Sequence, residues 1–346
     1  MIYRYIIISG LFALLTSCAH KVSKFYPEII PRGANVSLPL KANGKHTVSL
    51  TYLGCGNMVI EQDGDGIVTD PFFSIQKPLK MFGKVATKPD LFDLWKNKLQ
   101  SQASKGSVMA ALVSHTHYDH VMDLPTILQT HYFTKLQNVY GNSYLPQMMV
   151  NFQKEGVNIQ ECPKDWVQVS SKIRFLAIDS EHAPQTKGKL HMNGPLDAEY
   201  FKENLVWPDA KLKTKKWTAG KTYAFLVDFI DGDTIRLYIQ TSASQFPAGR
   251  PPKEELAKKK VDVAVLCYAS TMYVDDYPKA IVKDIDPAKL IIVHWEDFFR
   301  VARRDDDVML VRKTNPAKTR KRFDELGKKK DFFVMPRPGT KIQITK

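Results

Sequence analysis

Cysteine is scarce in this chain: four in 346 residues, with Cys18 near the start and Cys55, Cys162 and Cys267 far apart. Beyond Cys18 the number is odd and the spacing wide, which excludes a small disulfide-stapled fold. Cys55 and Cys267 sit in strand-like runs and read as buried thiols. Long apolar runs are also lacking, since the stretch at residues 6–15 is half the ~20 residues that a bilayer span needs. Carboxylates are outnumbered, 36 against 50 Lys and Arg, leaving a net charge of +14. Such an excess suits polyanionic partners but does not choose among nucleic acid, membrane head groups and acidic substrates; a solvated basic face explains it equally. Neither an internal repeat nor a low-complexity run stands out. With 44% hydrophobic and 25% charged residues, the chain can bury a substantial core, and disorder is excluded.

Histidine is scarce too, yet three of the nine fall within six positions, in His115-Thr116-His117-Tyr118-Asp119-His120. The run Val108-Met109-Ala110-Ala111-Leu112-Val113 before them reads as a buried strand, so three imidazoles and a carboxylate fan out from one strand end. Crowding these groups is costly unless a cation offsets their desolvation, and imidazole with carboxylate is a ligand set that Zn²⁺ takes. Two further histidines occupy the same kind of position. His182 follows the apolar run 173–178, and His294 follows Leu290-Ile291-Ile292-Val293. Taken singly, either reads as an ordinary strand-end histidine. Side chains at strand ends can meet along one edge of packed sheets, where layered α/β folds place their sites.

The string Ser114-His115-Thr116-His117-Tyr118-Asp119-His120 resembles the signature of the metallo-β-lactamase superfamily, as does the order of Ile67-Val68-Thr69-Asp70-Pro71 before it and His182 and His294 after it. His-Tyr-Asp-His, with His294-Trp295 and Phe298, looks most like the branch of N-acylphosphatidylethanolamine phospholipase D and related bacterial hydrolases. The resemblance spans residues 46–345. It implies a four-layer αββα sandwich of two mixed sheets, in the α/β class. It further implies a first zinc on His115, His117 and His182 and a second on Asp119, His120 and His294. Asp119 would orient or deprotonate the attacking water, and Asp70 would hold a ligand imidazole in its tautomer. His117, where the iron-dependent oxidoreductase branch has Glu, favours zinc over dioxygen chemistry.

One departure stands out. Where the family has an Asp bridging both metals, after the strand Ile235-Arg236-Leu237-Tyr238-Ile239, this chain has Gln240-Thr241-Ser242. Ser242 would be a weak ligand there, so the second ion is expected to be weaker, exchanged or absent. Glu296 or Asp297 could supply the carboxylate instead.

The start of the chain has its own pattern. Arg4, the apolar stretch 6–15 and Leu15-Thr16-Ser17-Cys18 resemble a bacterial lipoprotein signal over residues 1–17, with Cys18 as the lipidated first residue; an ordinary cleaved signal and an uncleaved anchor are the other readings. Each takes the protein out of the cytoplasm, and removing residues 1–17 takes away Arg4 alone, so +14 becomes +13. Residues 18–45 read as tether and lead-in, and 46–346 as one domain. Strands are expected at 47–52, 57–62, 66–69, 166–169 and 173–178, and helices at 91–102, 123–135 and 148–155. Asn315-Pro316 marks the start of a further helix ending near Gly327. Residues 184–221 form an insertion of about forty residues where a connection of about six would serve. Tyr200, Phe201, Trp207, Lys211, Lys213, Lys215, Lys216 and Trp217 within it read as a lid, a lipid-facing surface, or a variable loop.

The expected function is therefore an exported, membrane-anchored, zinc-dependent hydrolase of a phosphodiester or related ester in a lipid or envelope component. A metal lowers the pKa of its water towards about 7, which makes hydrolysis the default reaction. A lactamase or lactonase is the enzymatic alternative, and a catalytically impaired metal- or ligand-binding lipoprotein the other. Nucleic acid is not an expected partner, and oligomeric state stays open.

Overall fold

The computed structural model describes residues 20–26, 35–41, 44–99, 104–153, 156–186, 189–301, 308–326 and 332–346. The expected signal at 1–17, Cys18 and Gly327 lie outside the described residues. Along the chain run strands β1 Asn35–Pro39, β2 Thr47–Gly54, β3 Asn57–Gln62, β4 Asp65–Thr69, β5 Lys84–Ala86, β6 Val108–Leu112, β7 Asn138–Gly141 and β8 Asn158–Glu161. They continue with β9 Val167–Gln168, β10 Ile173–Ser180, β11 Lys211–Lys213, β12 Thr222–Phe229, β13 Ile235–Gln240, β14 Val263–Cys267, β15 Lys289–Val293, β16 Phe333–Val334 and β17 Lys341–Thr345.

Two mixed sheets result, ordered β1-β17-β2-β3-β4-β6-β7-β8 and β16-β15-β14-β13-β12-β10-β9. In the first, β2, β3 and β4 form the antiparallel meander expected from the sequence, while β4, β6, β7 and β8 run parallel. In the second, β10, β12 and β13 are antiparallel, and β13 to β16 parallel. The sheets pack face to face: Val48, Leu50 and Tyr52 of β2 join the same core as Phe175 and Phe225, and the Tyr140 and Phe175 rings meet at 4.9 Å between centroids.

Helices cover both outer faces, giving the expected αββα sandwich. Val59, Val68, Ala111 and Val113 lie in a second core with residues of α1 Asp90–Lys98, α3 Leu124–Thr130 and α4 Tyr144–Met148. In α1, Phe92, Trp95 and the following Leu99 recur at helical spacing and are buried, with Asp90 and Asp93 in the first turn and Lys96 and Lys98 in the last, as the helix dipole favours. Against the second sheet pack Ile281, Val282 and Ile285 of α7 Lys279–Ile285 and Phe323 of α8 Pro316–Asp324. The Asn315 side chain caps α8 by accepting from the Lys318 N–H.

Some boundaries differ from the sequence reading. The helix expected at 123–135 is α3, which stops at Thr130 because His131 adopts a left-handed conformation, and an unexpected single turn, α2 Tyr118–Val121, precedes it. The one expected at 148–155 begins earlier, as α4, with Pro146 accommodated in its first turn and a 3-10 turn at Val150–Phe152. The helix expected at 91–102 is α1, capped at Leu99. Where it is described, the 18–45 stretch packs on the fold: β1 pairs with β17, and Tyr26 is fully buried, its hydroxyl 3.4 Å from that of Tyr268. The 184–221 segment contributes α5 Ala198–Asn204 and β11, and buries Phe201 and Trp217. Among the described residues no helix is long and apolar enough to cross a membrane.

β12 is buried along its entire length, yet it carries Asp228. Across the sheet Arg236 of β13 grips this carboxylate through Nε and Nη2, at 2.6 and 2.8 Å, and Arg174 of β10 approaches from the other side at 2.8 Å. The remaining Arg236 nitrogen donates to the Glu255 and Lys259 carbonyls around α6 Lys253–Lys258, so one buried ion pair ties three strands to a helix.

Candidate metal centre

The segment after β6 turns sharply. Ser114 donates its backbone N–H to Asp70 Oδ1 at 2.7 Å, His117 stands immediately before the single turn α2, and that turn carries Asp119 and His120. Asp70 and His294 each follow directly on a strand, β4 and β15, and both hold positive φ, 38° and 55°. Left-handed backbone is uncommon for such residues, and here it marks the points where the chain leaves the sheets at one edge.

His115, His117 and His182 converge, with one ligand atom from each within 4.8 Å of the others. Nε2 of His115 lies 3.1 Å from Nδ1 of His117, which in turn lies 3.1 Å from Nε2 of His182. The opposite ring nitrogens are already committed. His117 Nε2 faces the Met192 carbonyl at 3.1 Å and His182 Nδ1 the Ala183 carbonyl at 2.6 Å, and a carbonyl only accepts. Both rings therefore carry their proton on the outer nitrogen and aim lone pairs at each other. Burial, against the opposing Asp119 carboxylate and Met192 carbonyl, pulls His117 down to about 4, and burial followed by the His117 ring puts His182 well below the usual imidazole range, so no proton relieves the clash at neutral pH. A bound cation does, and neutral imidazoles are the form a divalent metal takes.

Asp119, His120 and His294 form a second group on the same criterion. His294 Nε2 is 3.5 Å and His120 Nε2 3.9 Å from Asp119 Oδ2. The His120 and His115 rings are 4.0 Å apart between centroids, so the groups adjoin. Burial opposes ionisation of Asp119, but His120 and His294 outweigh it and hold the carboxyl well below its usual range. His120 shifts the other way: burial lowers it, and the Asp70 and Asp119 carboxylates raise it by more.

Asp70 organises the back of the site. Its Oδ2 accepts from His120 Nδ1 at 2.8 Å, Ser114 Oγ at 2.9 Å and Thr241 Oγ1 at 2.6 Å. The bond to His120 commits that ring's Nδ1 and leaves its Nε2 facing Asp119 at 3.9 Å. Gly56 makes room for this arrangement, because a Cβ there would overlap the Asp70 carboxylate.

The expected substitutes for the bridging carboxylate are not available. Glu296 is taken by the Tyr52 hydroxyl and the Cys55 N–H, and Asp297 by Arg312 and the Phe299 N–H. Of the turn after β13, Thr241 reaches Asp70 while Ser242 lines the cavity. The six candidate ligands thus comprise five imidazoles and one carboxylate.

A cavity of about 660 Å³ opens over both groups, floored by Asp119, His120, His182 and His294. Phe298 and Phe299 line it with cationic Arg312 and Lys313, and the 184–221 segment adds Met192 and Lys215. Cys267 also lines it, but burial pushes the thiol up to about 12, which makes it a poor nucleophile. Cys55, Cys162 and Cys267 are all buried and free. Residues that sequence reasoning missed are Met192 and Ala183, whose backbone carbonyls set imidazole tautomers, and Thr241. A carbonyl leaves no signal in a sequence, whereas the doubled glycine in Gly54-Cys55-Gly56 marked a tight place.

No protein-family model matches the chain, and no curated protein does. Among solved structures it is similar to the metallo-β-lactamase fold protein YhfI from Bacillus subtilis, at 11% identity and a TM-score of 0.49 over 85% of this chain and 98% of that one. A possible metal-dependent hydrolase from Veillonella parvula is similar at 13% identity and 0.48 over 86% and 99%. Igni18, a metallo hydrolase from the archaeon Ignicoccus hospitalis, is similar at 15% identity and 0.47 over 86% and 98%.

Proposed function

We propose that this protein is a zinc-dependent hydrolase of a phosphodiester or related ester, acting on a lipid or envelope component from an exported position held by lipidated Cys18. The observation that carries the metal is the approach of His117 Nδ1 and His182 Nε2 to 3.1 Å while the outer nitrogen of each ring faces a backbone carbonyl. His115, His117 and His182 would hold one ion, and Asp119, His120 and His294 a second. Zinc, when bound, supplies a Lewis acid and lowers the pKa of water towards about 7. Asp119, kept ionised by His120 and His294, orients the attacking water and accepts its proton at a carboxylate oxygen. Asp70 fixes His120, and the Met192 and Ala183 carbonyls fix His117 and His182, so the ligands are preorganised before substrate arrives. Phe298 and Phe299 offer apolar contact to a substrate whose anionic part meets Arg312 and Lys313. Zinc rather than iron is read from the donor set, five imidazoles to one carboxylate.

The missing bridging carboxylate favours one alternative, a metal-binding lipoprotein with weakened or lost turnover. Elemental analysis of wild type and His115→Ala, paired with assays on phosphodiester, lactone and amide substrates, separates the two. Retained zinc with phosphodiester turnover in wild type, both lost in His115→Ala, supports the hydrolase. Zinc without turnover of any substrate supports the binder, and wild type without zinc removes both readings.

A further inference from the structure

Residues 77–84 and 206–215 hold six lysines against one carboxylate, the exposed Asp209. Structure brings the segments together. β5 and β11 pair as an antiparallel ribbon with Val85 opposite Leu212, both fully buried, and Lys84 opposite Lys213, both exposed. Like charges facing across a strand pair are destabilising. Beside the ribbon the 3-10 turn Pro78–Phe82 is held by Thr214, whose hydroxyl donates to the Lys80 carbonyl at 2.9 Å and whose N–H donates to that of Gly83. Lys77, Lys80, Lys84, Lys211, Lys213 and Lys215 are exposed, and among the described residues none of them makes an ion pair.

The same face is apolar. Leu79 is 64% exposed, Phe82 58%, Val206 57% and Trp207 38%; these are four of the seven large hydrophobic side chains that the described residues leave exposed. Trp207 adjoins the ribbon because Thr87, just past β5, binds the Pro208 and Ala210 carbonyls. Clustered lysines with exposed Leu, Phe and Trp match the chemistry of an anionic bilayer surface: ammonium groups meet phosphates, and apolar side chains enter the head-group layer. A bare polyanion would use only the lysines. Pro78, Phe82 and Lys215 also line the mouth of the metal cavity.

We propose that the face formed by residues 77–84 and 206–215 lies on an anionic lipid bilayer, with Leu79, Phe82 and Trp207 in the head-group layer and the cavity mouth turned towards the membrane. It rests on the hydrolase reading only for what the cavity does there; the docking itself needs no turnover.

The test uses the full chain with Cys18→Ser, so that an environment-sensitive thiol fluorophore attaches at Leu79→Cys or, as control, at Val150→Cys, an exposed apolar position outside the face; the native thiols are buried. Vesicles of phosphatidylcholine, with or without phosphatidylglycerol, are titrated in. The expected result is a blue shift at position 79 alone, with phosphatidylglycerol, and a half-saturating lipid concentration raised at least about tenfold by Lys84→Gln with Lys213→Gln. These neutral residues relieve the cross-strand repulsion, and unchanged thermal melting certifies the fold. Equal shifts at both positions, no shift, or no effect of the two substitutions overturns the proposal. A shift that follows protein concentration without lipid replaces the bilayer with a second copy of the chain, and one produced by an oligonucleotide but not by vesicles replaces it with nucleic acid. Zinc content and hydrolysis of a soluble phosphodiester, measured on the same preparations, report separately on the hydrolase reading.

Discussion

At the residue scale the site is governed by where protons sit. Asp70 is no candidate ligand, yet it accepts from His120, Ser114 and Thr241, and the tautomer of His120 depends on it. Asp70→Asn is expected to weaken zinc binding to Asp119, His120 and His294 by about 10–100-fold while sparing the other group, as competition with a graded chelator would show. If both ions leave at unchanged chelator strength, Asp70 plays no such part. Asp123 gives a pH signature away from the ligands. Burial, against hydrogen bonds from Ser74 and Phe73, raises its carboxyl to about 6 from 3.8. Between those values the folded state binds the proton more tightly than the unfolded chain, so the contribution of this group to stability is present at low pH and lost as pH rises through about 6. Wild type measured against Asp123→Asn should therefore lose relative stability in denaturant as pH rises from 4 towards 7; a difference independent of pH would refute the assignment.

Elements carry these residues by being anchored away from the site. The Asp228–Arg236 pair joins β12 to β13 and, through Glu255 and Lys259, to α6. Removing one partner of a buried pair leaves an uncompensated charge, so Asp228→Ala is expected to cost about 3–5 kcal/mol in denaturant unfolding, whereas an exposed pair such as Lys202 with Glu199 contributes well under that. A loss below 1 kcal/mol would mean that the Arg236 carbonyl contacts suffice alone. Element boundaries follow local conformations: α3 ends at Thr130 because His131 turns left-handed, which no periodicity in residues 123–135 announces. By contrast, Asn315-Pro316 spelled the start of α8 correctly, since cap and first-turn chemistry is local to the sequence.

For the whole molecule, the candidate ligands span residues 115 to 294 and sit on segments that follow strands of both sheets. A cation bound among them would link the two halves of the sandwich and favour the folded chain, where the ligands converge. Zinc removal by a chelator should accordingly lower the melting temperature, by the equivalent of about 2.7 kcal/mol where free zinc stands at 100 times Kd, and zinc added back should restore it. Melting that ignores both treatments would count against a metal held by this fold. The same scale explains the basic character of the chain: part of the +14 is gathered where β5 meets β11, beside the cavity mouth, and is not spread evenly.

By itself the sequence singled out the side chains that converge, because the His115 to His120 cluster, the strand runs before it and the strand-end positions of His182 and His294 are patterns of residue type and local periodicity. Only the tertiary structure decided that His117 and His182 present lone pairs to each other, since their partners are backbone carbonyls that every sequence contains. It alone decided that Glu296 and Asp297 are spent elsewhere, and that two lysine-rich segments about 125 residues apart become one face. Pairing in a sheet depends on register between distant strands, and that free energy is set by the whole packed molecule, not by any window of the chain.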